Sequence, residues 1–150
     1  MDSHWPQFRI ELLKKADTAL IVQLNGLLDE GTEWDAQHGE KFLQDANNAL
    51  FIAFSEHKAV GFLTANRLQR FDNRGAEVLL YEIVVHEDFR RKGIGKALVE
   101  AAKRWAVEVG ADVLWVLTNK SNTAAVALYR SAGGTTQSED PDEVMFDVIL

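Results

Sequence analysis

Residues 90–96 read Arg-Arg-Lys-Gly-Ile-Gly-Lys, directly after an apolar run and at the head of a segment with helical apolar spacing. Glycine here lets the chain turn tightly and lets a ligand approach the backbone. The first turn of a helix leaves its amide N–H groups without intrahelical partners, and the helix dipole makes that end positive. Together these features imply anion binding, and a pyrophosphate has the right shape. Arg90, Arg91, Lys92 and Lys96 add positive charge around Gly93, Ile94 and Gly95. A bare Gly-x-Gly can also be a plain tight turn. The strand before it, the helix after it and the four cations favour the anion site.

A second chemical group is Glu82, embedded among Leu80, Ile83 and Val84. A carboxylate in such a run must open into a cleft or bear a heavy burial cost, and desolvation raises its pKa toward values suited to a base. The alternative is a structural glutamate on the solvent face of a strand. Tyr129 carries a phenol with a pKa of about 10, protonated at neutral pH and able to donate; its alternative role is core packing. Asn122 is placed to cap the helix that runs on to Tyr129. His4, His38, His57 and His86 show no metal-ligand spacing, so no metal site is expected. There is no Gly-x-Ser-x-Gly elbow and no His-Glu-x-x-His helix, which removes the hydrolase and metalloprotease readings.

These groups must be positioned by a single domain, residues 1–150, with 47% hydrophobic and 26% charged residues. Phe8–Leu12 alternates as a strand. Asp17 caps a helix carrying Leu20, Ile21, Leu24, Leu27 and Leu28, expected to end at Gly31. A short helix over 35–45 follows, then strands over 49–54 and 60–65 joined by Glu56-His57-Lys58. The strand 77–85 is apolar enough to be covered on both faces. From Arg91 the period becomes helical through Ile94, Leu98, Ala101, Ala102, Trp105 and Val109, with Gly110 as the stop. A strand over 113–117, a helix from Asn122 to Tyr129 stopped at Gly133-Gly134, and a strand over 144–148 complete the chain. The order β-α-α-β-β-β-α-β-α-β predicts an α+β fold, a mixed and mostly antiparallel sheet with helices on both faces.

Charge and composition narrow the function. The net charge of −7 argues against nucleic acid as a partner. Six basic residues against Glu100 alone crowd residues 89–104, whereas 27–40 and 131–150 contain acids and no Lys or Arg. One place suits an anion and another a cation. The chain has no cysteine, which excludes a thiol nucleophile and suits a reducing cytoplasm. No secretory leader is expected, and no apolar run nears the roughly 20 residues of a membrane span. The third glycine of a dinucleotide fingerprint is replaced by Leu98, and no Walker loop occurs.

The motifs Arg90-x-x-Gly93-x-Gly95 and Asn122-x-x-Ala125-x-x-Leu128-Tyr129, followed by Gly133, resemble the GNAT acyl-CoA N-acyltransferases over about residues 50–150. The resemblance implies acetyl-CoA as co-substrate, its pyrophosphate at residues 90–96 and its pantetheine arm along Ile83, Val84 and Val85. It further implies Asn122 on that arm, Glu82 as general base, directly or through water, and Tyr129 as general acid. Residues 70–85, 125–129 and 143–147 are similar to the GNAT-type aminoglycoside 3-N-acetyltransferases, with Glu82 standing where those enzymes carry Asp. This implies a polycationic amine as acceptor and Asp147 as a substrate carboxylate. Trp34, in the helical region that usually covers the acceptor cleft of this fold, joins Asp35, Asp72 and Asp142, which are charge-based candidates, as a substrate contact. Another amine acceptor, or an acyl-CoA-binding module without turnover, are the competing functions. Dimers are common in the family, which makes a homodimer one expected arrangement.

Overall fold

The computed structural model describes residues 7–28, 31 and 33–136. Five strands, β1 (Phe8–Leu12), β2 (Asn48–Ser55), β3 (Lys58–Leu68), β4 (Ala76–Val85) and β5 (Ala111–Trp115), form one sheet in sequence order. The first four are antiparallel neighbours, and β5 joins β4 in parallel. That connection runs through α3 (Ile94–Glu108), because a parallel crossover needs a helix-length detour. Helix α3 covers one face, where Leu98, Ala102 and Trp105 meet Phe51, Leu63 and Leu80. On the other face, α1 (Thr18–Asn25) and α2 (Ala36–Gln44) cover Ile52 and Phe62. The helix α4 (Thr123–Ser131) packs beside α3 and sends Leu128 and Tyr129 to the first cluster. The predicted α+β, mixed and mostly antiparallel architecture with helices on both faces is the one observed.

Several boundaries differ from the periodicity, each for a local reason. Helix α1 stops at Asn25 because the Asn25 side chain clamps the backbone of Trp34, donating to its oxygen at 2.9 Å and accepting from its nitrogen at 2.7 Å. Helix α3 starts at Ile94 rather than Arg91, since Arg91 (φ 60°) and Gly93 (φ 85°) are left-handed and cannot sit in a helix. Between β4 and that loop stands a short 3-10 turn, Glu87–Phe89. Strand β5 lies two residues earlier than 113–117, and its pairing with β4 runs from Ala76↔Ala111 to Leu79↔Trp115. The predicted strand over 144–148 lies outside the described residues.

Two features of β4 follow from that ladder. Beyond Leu79 the strand keeps β3 as a neighbour but has no pairing to β5, so the sheet splays open along residues 80–85. The register with β3 also shifts: Leu80 faces Ala65, while Glu82 faces Thr64, leaving Tyr81 as an extra, exposed residue. A β-bulge of this kind reverses which face the following side chains occupy. Hence Leu80, Ile83 and Val85 all serve the α3 cluster, whereas Val84 serves the α1/α2 cluster. Among the described residues no helix is long and apolar enough to cross a membrane.

Candidate active site

The loop from Arg90 to Lys96 joins the open end of β4 to α3. Its backbone is shaped by the left-handed Arg91 and Gly93, and no side chain caps the helix. The first bond of the helix is Ala97 N–H to the Gly93 carbonyl at 3.0 Å, so the amides of Ile94, Gly95 and Lys96 precede the intrahelical ladder. Of the cations, Arg90 donates from Nε to the Val85 carbonyl at 3.0 Å, tying the loop to the strand. Lys92 folds back to the Asp88 carbonyl at 3.1 Å and over the Phe89 ring. Lys96 and Arg91 are exposed. A β-carbon built on Gly95 meets Leu128 at 3.3 Å, so glycine there lets α4 approach the first turn of α3.

A β-carbon on Gly93, by contrast, meets nothing within 4 Å and points into open space. Gly93→Asp therefore adds strain and a negative charge at the uncapped turn without a clash. The expected result is acetyl-CoA affinity about tenfold or more weaker by titration calorimetry. Gly93→Asn, which tolerates the left-handed region and adds no charge, should lose less. Equal affinity in Gly93→Asp and wild type would remove the anion from this loop.

Glu82 sits in the splayed half of β4, partly buried, and burial raises its carboxyl pKa above the ordinary range. The Tyr129 phenol is half-buried, and burial pushes its pKa up as well. Its helix ends in a closed cap: Gly134 N–H bonds the Tyr129 carbonyl at 2.8 Å and Gly133 N–H bonds that of Arg130 at 3.0 Å. Gly133 is left-handed (φ 91°), as the predicted stop requires. At the helix start, Asn122 Oδ1 accepts from Ala125 N–H at 3.1 Å, and the side chain remains exposed. Val84, Val85 and Arg90 line a cleft of about 210 Å³ together with Gly26 and Leu27 from the end of α1.

The other expected substrate contacts are committed locally. Trp34 packs its ring edge-on to Phe62, with centroids 4.7 Å apart, as part of the α1/α2 cluster. Asp35 is the N-cap of α2, accepting from His38 N–H at 2.9 Å and pairing with the His38 ring, and its pKa is lowered by those bonds. Asp72 pairs with Arg74 in the turn between β3 and β4. Each of the three thus serves the fold locally. Asp142 and Asp147 lie outside the described residues.

Gly61 was not singled out by sequence, although a glycine inside a strand pattern signals close backbone approach. It faces Val85, and a β-carbon there would sit 2.8 Å from the Val84 carbonyl oxygen. Gly61→Ala should displace the open segment of β4, raising KM for acetyl-CoA severalfold with a smaller change in kcat. Unaltered kinetics would show that Val84 and Val85 can shift without cost to the donor.

An uncapped helix turn at the end of a splayed strand that carries a partly buried carboxyl suits an extended, anionic acyl donor. Residues 11–133 match the family model described as "Acetyltransferase (GNAT) family". The chain belongs to the GNAT acetyltransferase family. It is thus an enzyme of that class with the GNAT fold. Aminoglycoside N(6')-acetyltransferase type 1 of Salmonella typhimurium is 30% identical over 111 residues, 72% of this chain and 74% of that protein. The aminoglycoside acetyltransferase meta-AAC0020, from an uncultured soil metagenomic sample and solved with trehalose, superposes with a TM-score of 0.81. It is 28% identical, covering 95% of this chain and 96% of that one. AAC(6')-Iy, solved with a bisubstrate analog, CoA-S-monomethyl-acetylneamine, gives 0.79 at 26% identity, with 96% and 99% covered. The likeness to GNAT aminoglycoside acetyltransferases therefore stands. Two of these relatives carry the 6'-amino position in their names, where the motif resemblance implied the 3-amino position.

Proposed function

We propose that this GNAT enzyme transfers an acetyl group from acetyl-CoA to an amine of an aminoglycoside, with Glu82 as general base and Tyr129 as general acid. The observation that carries the donor assignment is the opening of β4 from β5 beyond Leu79, ending on the uncapped turn of α3. The segment Ile83 to Val85 offers an extended arm its open edge, with the Val84 carbonyl turned toward β3 and the Val85 carbonyl held by Arg90. The amides of Ile94 to Lys96, with Arg91 and Lys96, meet the pyrophosphate, while Arg90 braces Val85 and Lys92 braces the 3-10 turn. Asn122 has its Oδ1 engaged in the cap and its amide NH2 left to donate to the arm.

When bound, acetyl-CoA supplies a thioester whose carbon–sulfur bond breaks as the carbon–nitrogen bond to the acceptor forms. Glu82 takes the proton that the attacking amine must lose, and its raised pKa makes it a better base than an exposed glutamate. Tyr129 holds a proton through neutral pH and gives it to the departing thiolate. The net charge of −7 favours acceptors with several ammonium groups. The 6'-amino position is the site proposed, because relatives at 30% and 26% identity are named for it, ahead of the 3-amino position.

The test is a panel of aminoglycosides, spermidine, amino acids and short peptides, each incubated with acetyl-CoA and analysed by mass and proton NMR. One acetyl on the 6'-amino group of an aminoglycoside is expected. An acetyl at the 3-amino group would correct the position. Turnover only with another amine would correct the acceptor, and donor binding without any product would leave an acyl-CoA-binding module.

A further inference from the structure

Thr64 is the one buried polar residue among the described residues, at 7% exposure, and its hydroxyl has no hydrogen-bond partner. Such a group carries its full desolvation penalty, and exceptions of this kind call for an explanation. Thr64 lies directly across the β3–β4 ladder from Glu82. Because of the bulge at Tyr81, both share the face occupied by Phe62 and Val84, the face of α1 and α2. Opposed β-carbons in an antiparallel pair are about 4.5–5.5 Å apart, which brings a hydroxyl within reach of a rotating glutamate side chain. Among the described residues, the elements packed on this face offer the carboxylate no buried ionisable partner. Strand β2 and helix α1 have no ionisable residue, and His38, Glu40 and Lys41 of α2 are exposed. Asp112 of β5 pairs with Arg70.

We infer that Thr64 is a positioning residue for Glu82: its hydroxyl donates to the ionised carboxylate across the ladder and holds it at the mouth of the splay. The functional meaning of this contact rests on Glu82 being the base. A donor to the ionised form favours that form, opposing the effect of burial. Removing it should move the Glu82 titration further up, so any loss of stability falls on the ionised state and is absent where Glu82 is protonated.

The experiment follows the side-chain carboxyl carbons by NMR across pH in protein labelled with ¹³C-glutamate, the Glu82 signal being assigned by its loss in Glu82→Gln. In Thr64→Val the Glu82 titration is expected about one pH unit higher, with the acid limb of kcat/KM moving alike, and Tm relative to wild type falling as pH rises through that titration. Thr64→Ser should restore the wild-type titration. A Glu82 titration in Thr64→Val that coincides with wild type, or a Thr64→Ser shift as large as that of Thr64→Val, overturns the inference. The pH profile of Glu82→Gln reports on the base assignment separately. If that variant keeps the acid limb, the base assignment fails, and the carboxyl titration still decides whether Thr64 makes its bond.

Discussion

Glu82→Gln is expected to lower kcat by about 10²–10⁴-fold while leaving the dissociation constant for acetyl-CoA unchanged. Glutamine keeps the size and hydrogen-bonding outline of the side chain but cannot take up a proton. The carboxyl lies in the open half of β4 and is desolvated by its surroundings, so its pKa is raised. Under the proposed mechanism protonated Glu82 cannot take the proton of the amine, so its contribution to kcat/KM should climb with pH through a midpoint above the ordinary value of about 4.3. That limb should vanish in the variant. The same burial has a consequence for folding. The native state binds the proton more tightly than the unfolded chain, so stability declines as pH rises through the Glu82 titration. Glutamine removes this dependence, and thermal melts of the variant should show a flatter pH response at its acid end. A variant with wild-type turnover would exclude Glu82 from proton transfer.

Tyr129→Phe is the second large effect. Phenylalanine retains the ring that packs beside Leu128 against the α3 cluster, and the cap at Gly133 and Gly134 is made by backbone, so the fold should survive. What is lost is the proton held ready for the thiolate. About a 10²-fold loss of kcat is expected at neutral pH, with acetyl-CoA binding retained. A thioester with a more acidic leaving thiol needs less protonation, so the deficit should shrink with such a donor. An equal deficit with both donors would make Tyr129 a packing residue. Because burial raises the phenol's pKa, the wild-type alkaline limb should lie above about pH 10.

The parts of this molecule that were legible in sequence are those written in local patterns. Asp17 and Asn122 cap helices through their own side chains, as their positions implied, and the apolar stripe of α3 names its buried face. The turn into α3 was readable because glycine spacing, charge and helix onset coincide within seven residues. Pairwise geometry between distant segments was not readable. Nothing local announces that Tyr81 is bulged, yet that one extra residue turns Glu82 from the α3 face to the α1/α2 face. The end of β5 pairing at Leu79 is likewise a property of two strands separated by α3. For Trp34, expected at the acceptor cleft from the region it occupies, sequence did not announce that the Asn25 side chain clamps its backbone or that its ring packs edge-on to Phe62.

The proposed mechanism requires the open edge of β4 and the first turn of α3 to form one donor site. It is tested most directly by ¹⁵N–¹H spectra of the assigned protein titrated with acetyl-CoA. The largest amide shifts are expected at Ile83 to Val85 and at Gly93 to Lys96, with Gly93→Asp moving both sets together to about tenfold or more higher acetyl-CoA concentration. Shifts confined to other surfaces, or an Ile83 to Val85 titration unmoved in Gly93→Asp, would contradict it.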